Sequence, residues 1–171
     1  FSASEEVELF LNGMSLGKQA AGKENGYTAS FEVLYQPGEL VAVGYTNEQE
    51  EGRMTLQTAS SNIQLDVEAD ANTLKADGAD LAYVTVQLVD ENGIFNMWEC
   101  KDVTVQVEGD ITLQGFGSAI PQGGGNYFDT VWPTYDGRVI AVVRAGFKKG
   151  KGKLTFTAPD CKDVTVDFEI A

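Results

Sequence analysis

Carboxylates are the side chains with the most obvious capacity for chemistry in this sequence. Its 171 residues carry 26 Asp and Glu against 12 Lys and Arg, and no His. Glycoside hydrolysis needs two carboxyls facing each other across a sugar, roughly 5–9.5 Å apart. Glu48, Glu50 and Glu51 crowd into the short stretch from Asn47 to Gly52. That stretch reads as the polar tip of a hairpin, where water screens all three and nothing lifts one pKa above its neighbours. No residue is therefore assigned a catalytic role. The absence of histidine removes Ser-His-Asp and Cys-His activation of a nucleophile, and every zinc site built on imidazole.

Other residue types bear on binding. Asp70, Asp77, Asp80, Asp90 and Asn92 fall near expected loops, yet no segment fits the D-x-[DN]-x-[DN]-G calcium loop with its distal Glu. Asp90-Glu91-Asn92-Gly93 reads as a turn, and no metal site is expected. Gly115-Phe116-Gly117 and Gly123-Gly124-Gly125 lack the spacing of a phosphate loop, and no helix follows them. No cofactor is implied. Aromatic residues carry the strongest binding signal. Tyr127, Trp132 and Tyr135 cluster with Phe128 in an irregular stretch, and Trp98 sits in another loop. Flat rings stack on the apolar faces of sugars, so Trp98, Tyr127, Trp132 and Tyr135 are the candidate carbohydrate-binding residues. The competing reading is that these rings cover an open end of the core.

The elements that must position these residues are strands. Period-two alternation is strong and helical periodicity weak. Val7, Leu9 and Leu11 share one face, with Glu6, Glu8 and Phe10 on the other. Asn12-Gly13 signals a tight hairpin. Tyr27, Ala29, Phe31 and Val33 alternate as a further strand, and Gln36-Pro37-Gly38 turns the chain. Leu40–Tyr45 and Arg53–Thr58 follow, flanking the Asn47–Gly52 tip. Ala59-Ser60-Ser61 is a polar joint, dividing the chain into domains at residues 1–59 and 60–171. In the second domain the alternating sets begin at Ile63, Ala82, Val103, Val139, Leu154 and Val164. About seven short strands with turns between them read as an immunoglobulin-like sandwich. Gly115 to Gly137 reads as one long connection.

The hexamer Cys100-Lys-Asp-Val-Thr-Val105 recurs as Cys161-Lys-Asp-Val-Thr-Val166. If the strands follow sandwich order, Cys100 precedes the third strand and Cys161 lies between the last two, at the same end of the sandwich. A Cys100–Cys161 disulfide and two free thiols are both open readings, because bridging needs Cα atoms within ~7 Å. The formal net charge of −14 repels a phosphate backbone and argues against nucleic acid as a partner. A neutral sugar is compatible with it. No run approaches the ~18 apolar residues of a membrane span. The chain enters a strand pattern at Val7 with neither an initiating Met nor a signal-peptide pattern, which reads as an excised or processed piece whose first sandwich has lost a strand.

The phrases E-V-E-L-F-L-N-G-M-S-L-G (Glu6–Gly17), P-G-E-L-V-A-V-G-Y (Pro37–Tyr45) and A-D-G-A-D-L-A-Y-V-T-V-Q-L-V-D-E-N-G (Ala76–Gly93) occur in that order. Together they resemble the C-terminal β-sandwich domains of bacterial glycoside hydrolase family 2 enzymes of the β-galactosidase type. V-Q-V-E-G (Val105–Gly109) and D-G-R-V-I-A-V-V-R-A-G (Asp136–Gly146) resemble the immunoglobulin-like domain of the same proteins. The resemblance implies an all-β chain of two consecutive immunoglobulin-like sandwich domains. It implies a non-catalytic accessory role in carbohydrate degradation, a catalytic barrel elsewhere in the parent chain as partner, and an extracytoplasmic location. Asn47-Glu48 lies in an E-Q-E-E-G turn rather than at the end of a barrel strand, so no catalytic glutamate is carried over. Two readings stand beside this one: an immunoglobulin-like spacer of a bacterial surface adhesin, and a free carbohydrate-binding module.

Overall fold

The computed structural model describes residues 1–121 and 125–171. The chain divides into two compact units, Phe1–Thr58 and Ala59–Ala171. Both are built from strands.

The first unit is a four-stranded antiparallel sheet of β1 (Glu6–Leu11), β2 (Met14–Ala20), β3 (Glu39–Thr46) and β4 (Gln49–Gln57), in the order β2-β1-β3-β4. Asn12 and Gly13 turn β1 into β2 with φ of 51° and 79°. Positive φ at both positions matches the right-handed twist of the strands they join, which is why Asn-Gly marks a two-residue hairpin. Val7 and Leu9 face the same way as their partners Gly44 and Ala42 and are buried. Two expectations change here. Tyr27–Val33 is not a strand. Tyr27 has φ of 61°, its carbonyl accepts the Ser2 N–H at 2.9 Å, and the Ser30 N–H goes to the Gln19 side chain at 3.2 Å. With its backbone engaged locally, the segment lays Ala29 and Phe31 beside Val7, Leu9 and Ala42. The expected tip at Asn47–Gly52 also shrinks to Asn47-Glu48, with φ of 51° and 63°. A register shift between Gly44 and Tyr45 absorbs an extra residue and lets β4 start at Gln49, so Glu50 and Glu51 belong to a strand.

The second unit packs two sheets face to face. One runs β5 (Gln64–Ala69), β7 (Leu81–Val89), β11 (Arg138–Ala145), β9 (Ile111–Gly117). The other runs β10 (Val131–Pro133), β8 (Asp102–Gly109), β12 (Gly150–Thr157), β13 (Val164–Ile170), β6 (Thr73–Leu74). All ladders in this unit are antiparallel except β6 on β13, where the chain leaves one sheet and joins the other. This is the immunoglobulin-like arrangement. The inward sets are those the alternation picks out: Ala82, Val84, Val86 and Leu88 from β7, Val139, Ala141 and Val143 from β11, Leu154 and Phe156 from β12. Phe116 and Phe156 meet across the seam with ring centroids 6.2 Å apart.

Gly115–Gly137 is not one long connection. Phe116 is a core residue of β9, β10 pairs with β8, and Asp136-Gly137 is a two-residue turn with φ of 45° and 69°. Tyr135 and Arg138 exchange both backbone hydrogen bonds across it, at 2.9 and 3.0 Å. The glycines hide this strand from a hydrophobic pattern because they contribute no side chain to alternate.

Core position and exposure separate two aromatic substitutions. Phe156→Ala should destabilise the second unit by about 3–5 kcal/mol in urea or guanidinium titration. Trp98→Ala, at a ring 84% exposed, should change it by less than about 0.5 kcal/mol.

Candidate functional site

The four candidate sugar-binding rings do not form one platform. Trp132 lies in β10 and is buried. Its indole N–H donates to Ser118 Oγ at 3.1 Å, and the Tyr127 ring stacks on it at 5.2 Å with planes 19° apart. Two glycines make this seat. A Cβ on Gly125 would collide with the Trp132 ring, and one on Gly117 would lie 2.6 Å from Tyr127. Trp132 therefore closes the core between β9 and β10, with Tyr127 as its cover and one face of that phenol ring turned to solvent. Tyr135 is half-buried beside Arg138, lining a depression of about 350 Å³ with Ser118, Thr85 and Ile140. Trp98 projects from the β7–β8 connection, where Asn96 Oδ1 accepts the N–H groups of Trp98 and Glu99 at 3.0 and 2.9 Å. Of the Gly123-Gly124-Gly125 run, only Gly125 lies within the described residues.

The carboxylates are arranged to accept, not to donate. Both oxygens of Glu50 take hydrogen bonds of 2.8 Å from the Arg53 guanidinium, which holds its carboxyl below the usual range. Glu51 accepts the Thr46 hydroxyl at 2.7 Å and is lowered by that bond and by one from Ser4. A general acid needs the opposite shift, so neither glutamate holds a proton to deliver near neutrality. The aspartates considered for calcium have their oxygens engaged by backbone N–H groups. Asp70 accepts from Tyr83, Asp77 from Ala79 and Asp80, and Asp80 from Lys75. Among the described residues no cluster of three His, Cys, Asp or Glu side chains is placed to hold a metal ion.

Asp90 is the most engaged of these acids. It is buried, and it accepts the N–H of Ser60 through Oδ2 and those of Asn92 and Ile94 through Oδ1, each at 2.9 Å. The Ser60 bond, helped by the Ile94 and Asn92 bonds, lowers its pKa against the upward push of burial.

Cys100 and Cys161 lie in loops tied at one end of the sandwich, where Lys101 Nζ donates to the Pro159 carbonyl at 2.9 Å. Both thiols are free. Cys100 donates to the Thr134 carbonyl at 3.1 Å and Cys161 to that of Ile63 at 3.5 Å. Cys100 lies two residues before β8 and Cys161 three before β13, strands that flank β12 on opposite sides. Burial raises the pKa of the Cys161 thiol, partly offset by the Lys101 charge.

An immunoglobulin-like sandwich whose acids serve its own turns defines a class of accessory β-domain. Residues 65–167 match the family described as Glycoside hydrolase family 2 C-terminal domain 5, and residues 1–51 match a Domain of unknown function (DUF4982). The chain belongs to the glycoside hydrolase family 2 C-terminal domain 5 family. It is similar to β-galactosidase BoGH2A of Bacteroides ovatus, 29% identical over 160 residues, covering 92% of this chain and 18% of that protein. It is also similar to a β-galactosidase of Thermoanaerobacter pseudethanolicus, 30% identical over 131 residues, covering 67% of this chain and 18% of that protein. Among solved structures, a glycosyl hydrolase family 2 member from Bacteroides cellulosilyticus superposes with a TM-score of 0.94 at 35% identity, over 98% of this chain and 22% of that one. The chain thus spans about a fifth of the length of the proteins it matches.

Two measurements test these local environments. A thiol reagent should modify both cysteines in the native protein, Cys100 before the more buried Cys161; a protein with no titratable thiol would contradict the assignment. Asp90, with its pKa lowered by folding, contributes stability that is complete above the ordinary carboxylate range and lost as pH falls through the depressed value. Asp90→Asn should therefore flatten the acid limb of the stability–pH curve of the second unit.

Proposed function

We propose that this chain is the non-catalytic C-terminal part of a β-galactosidase-like glycoside hydrolase and packs on the catalytic barrel of the parent protein. The observation that carries the reading is the alignment itself: 92% of this chain corresponds to 18% of a β-galactosidase. The chemistry of the acids supports it. Glu50 and Glu51 are tied to Arg53 and Thr46, and their lowered pKa values leave neither suited to be the general acid that a glycosidase pair requires. A contact surface is available in the first unit. Leu40 and Leu56 pair across β3 and β4 on the same face as Val7 and Leu9, as do Ala42 and Met54. Met54 is 67% exposed and Leu56 59%, so an apolar strip of that face is open for a neighbouring domain.

The test begins with the reading frame that contains this chain, in which a barrel with two catalytic glutamates is expected. In that full-length protein, Glu50→Gln and Glu51→Gln should leave kcat on an aryl β-galactoside unchanged. Met54→Glu combined with Leu56→Glu should lower the melting temperature of the whole enzyme by several degrees. A large loss of kcat in either glutamine variant would place chemistry in this chain and overturn the reading.

A further inference from the structure

The two sheets of the second unit leave a groove along one side, between the edge of β8 and the edge of β9. It is a shallow depression open to solvent, with a volume of about 660 Å³. Thr104 and Gln106 of β8 form one wall, Thr112 of β9 forms the other, and Thr130 and Phe128 close one end. Phe128 is 70% exposed. In a chain with a net charge of −14, no charged side chain among the described residues lines this groove.

The backbone adds polar groups. Val105 sends its N–H outward to the Thr130 carbonyl at 2.8 Å. Successive strand residues point their backbone groups to opposite edges, so the N–H and C=O of Val107 face the same way as those of Val105. They emerge two residues further along, past the end of β10 and into the groove. The lining thus combines an exposed flat ring and the aliphatic side chains of Val105, Val107, Ile111 and Leu113 with hydroxyls, an amide and strand-edge peptide groups, without a formal charge among the described residues.

The geometry points to a binding site for a neutral oligosaccharide in this groove, with Phe128 stacking on a sugar face and Thr104, Gln106, Thr112 and Val107 meeting its hydroxyls. Neutral glycan fits the lining better than an anionic one, because no cation faces the groove and the acidic chain repels uronates. The site differs from the ring set that the sequence suggests, since Trp132 is committed to the core and Trp98 and Tyr135 belong to other loops. It draws on the glycosidase reading only for the choice of glycan.

The test is retention of the full-length protein on a gel containing neutral β-1,4-galactan, with a galacturonan gel beside it and free galactose present to occupy a catalytic pocket. Retention does not depend on hydrolysis, so loss of the glycosidase reading would leave the result interpretable. Binding to galactan and not to galacturonan is expected. Phe128→Ala should weaken it by about tenfold, the worth of one stacked ring, and Gln106→Ala should weaken it less. Trp98→Ala should leave it unchanged. Melting temperatures equal to the parent's would show that the variants fold. Equal retention of Phe128→Ala and the parent overturns the site. So does Phe128-dependent capture of an extended threonine-rich peptide without capture of glycan, which would assign the groove to strand addition.

Discussion

The seam between the two sheets of the second unit must stay dry, and most of that unit's features follow from this. Ala82, Val84, Val86 and Leu88 on one side face Val103, Val105, Leu154 and Phe156 on the other, and these residues are at most 1% exposed. A sandwich closes its long faces by alternation alone, but its sides are open wherever the outermost strands diverge. On the side bounded by β9 and β10, Trp132 fills that opening. An indole is large enough to span it, yet it brings an N–H that cannot be left unpaired when buried. Ser118, just beyond β9, supplies the acceptor.

That solution dictates the local sequence. A ring lying flat on a strand needs a position without a side chain beneath it, hence Gly117 under Tyr127 and Gly125 against Trp132. The same glycines that suggest a loop are the contact surface of an aromatic stack. Further along the same side, toward the Asp110 connection that joins β8 to β9, the ring is absent and the groove begins.

This explains which parts of the structure were legible in the sequence. Strands whose inward residues are Val, Leu, Ile or Phe at every second position, such as β7, β11, β12 and β13, are readable because side-chain period and burial coincide. The Asn12-Gly13 turn is readable because its dihedral angles admit few residues. β9 is obscured, since two of its positions are glycines, one of which, Gly117, answers to the Tyr127 ring ten residues away. The acidic E-Q-E-E-G stretch was misleading for a different reason: the register shift at Gly44 turns an expected tip into strand, and no local pattern encodes it. Tyr27–Val33 has the period of a strand without a ladder partner; alternation reports which side chains face the core, not whether the backbone pairs. Of the candidate rings, the pairing of Tyr127 with Trp132 was within reach, but the burial of Trp132 depended on strand β10, only three residues long.

The acids pose a last question of physical logic: why a domain with so many carboxylates should present an uncharged groove. Much of the negative charge has a local use. Asp70, Asp77, Asp80 and Asp90 cap turns by accepting N–H groups that no strand satisfies, and the ionised form is the better acceptor. Turns lie at the ends of the sandwich, so charge that stabilises turns accumulates there. The groove runs along the side, where the lining residues Thr104, Gln106 and Thr112 are strand residues and the nearest outward carboxylate of β8, Glu108, is paired with Lys153. The turn carboxylates are thus set apart from the groove by where antiparallel strands place their turns, which is the arrangement the proposed neutral ligand requires.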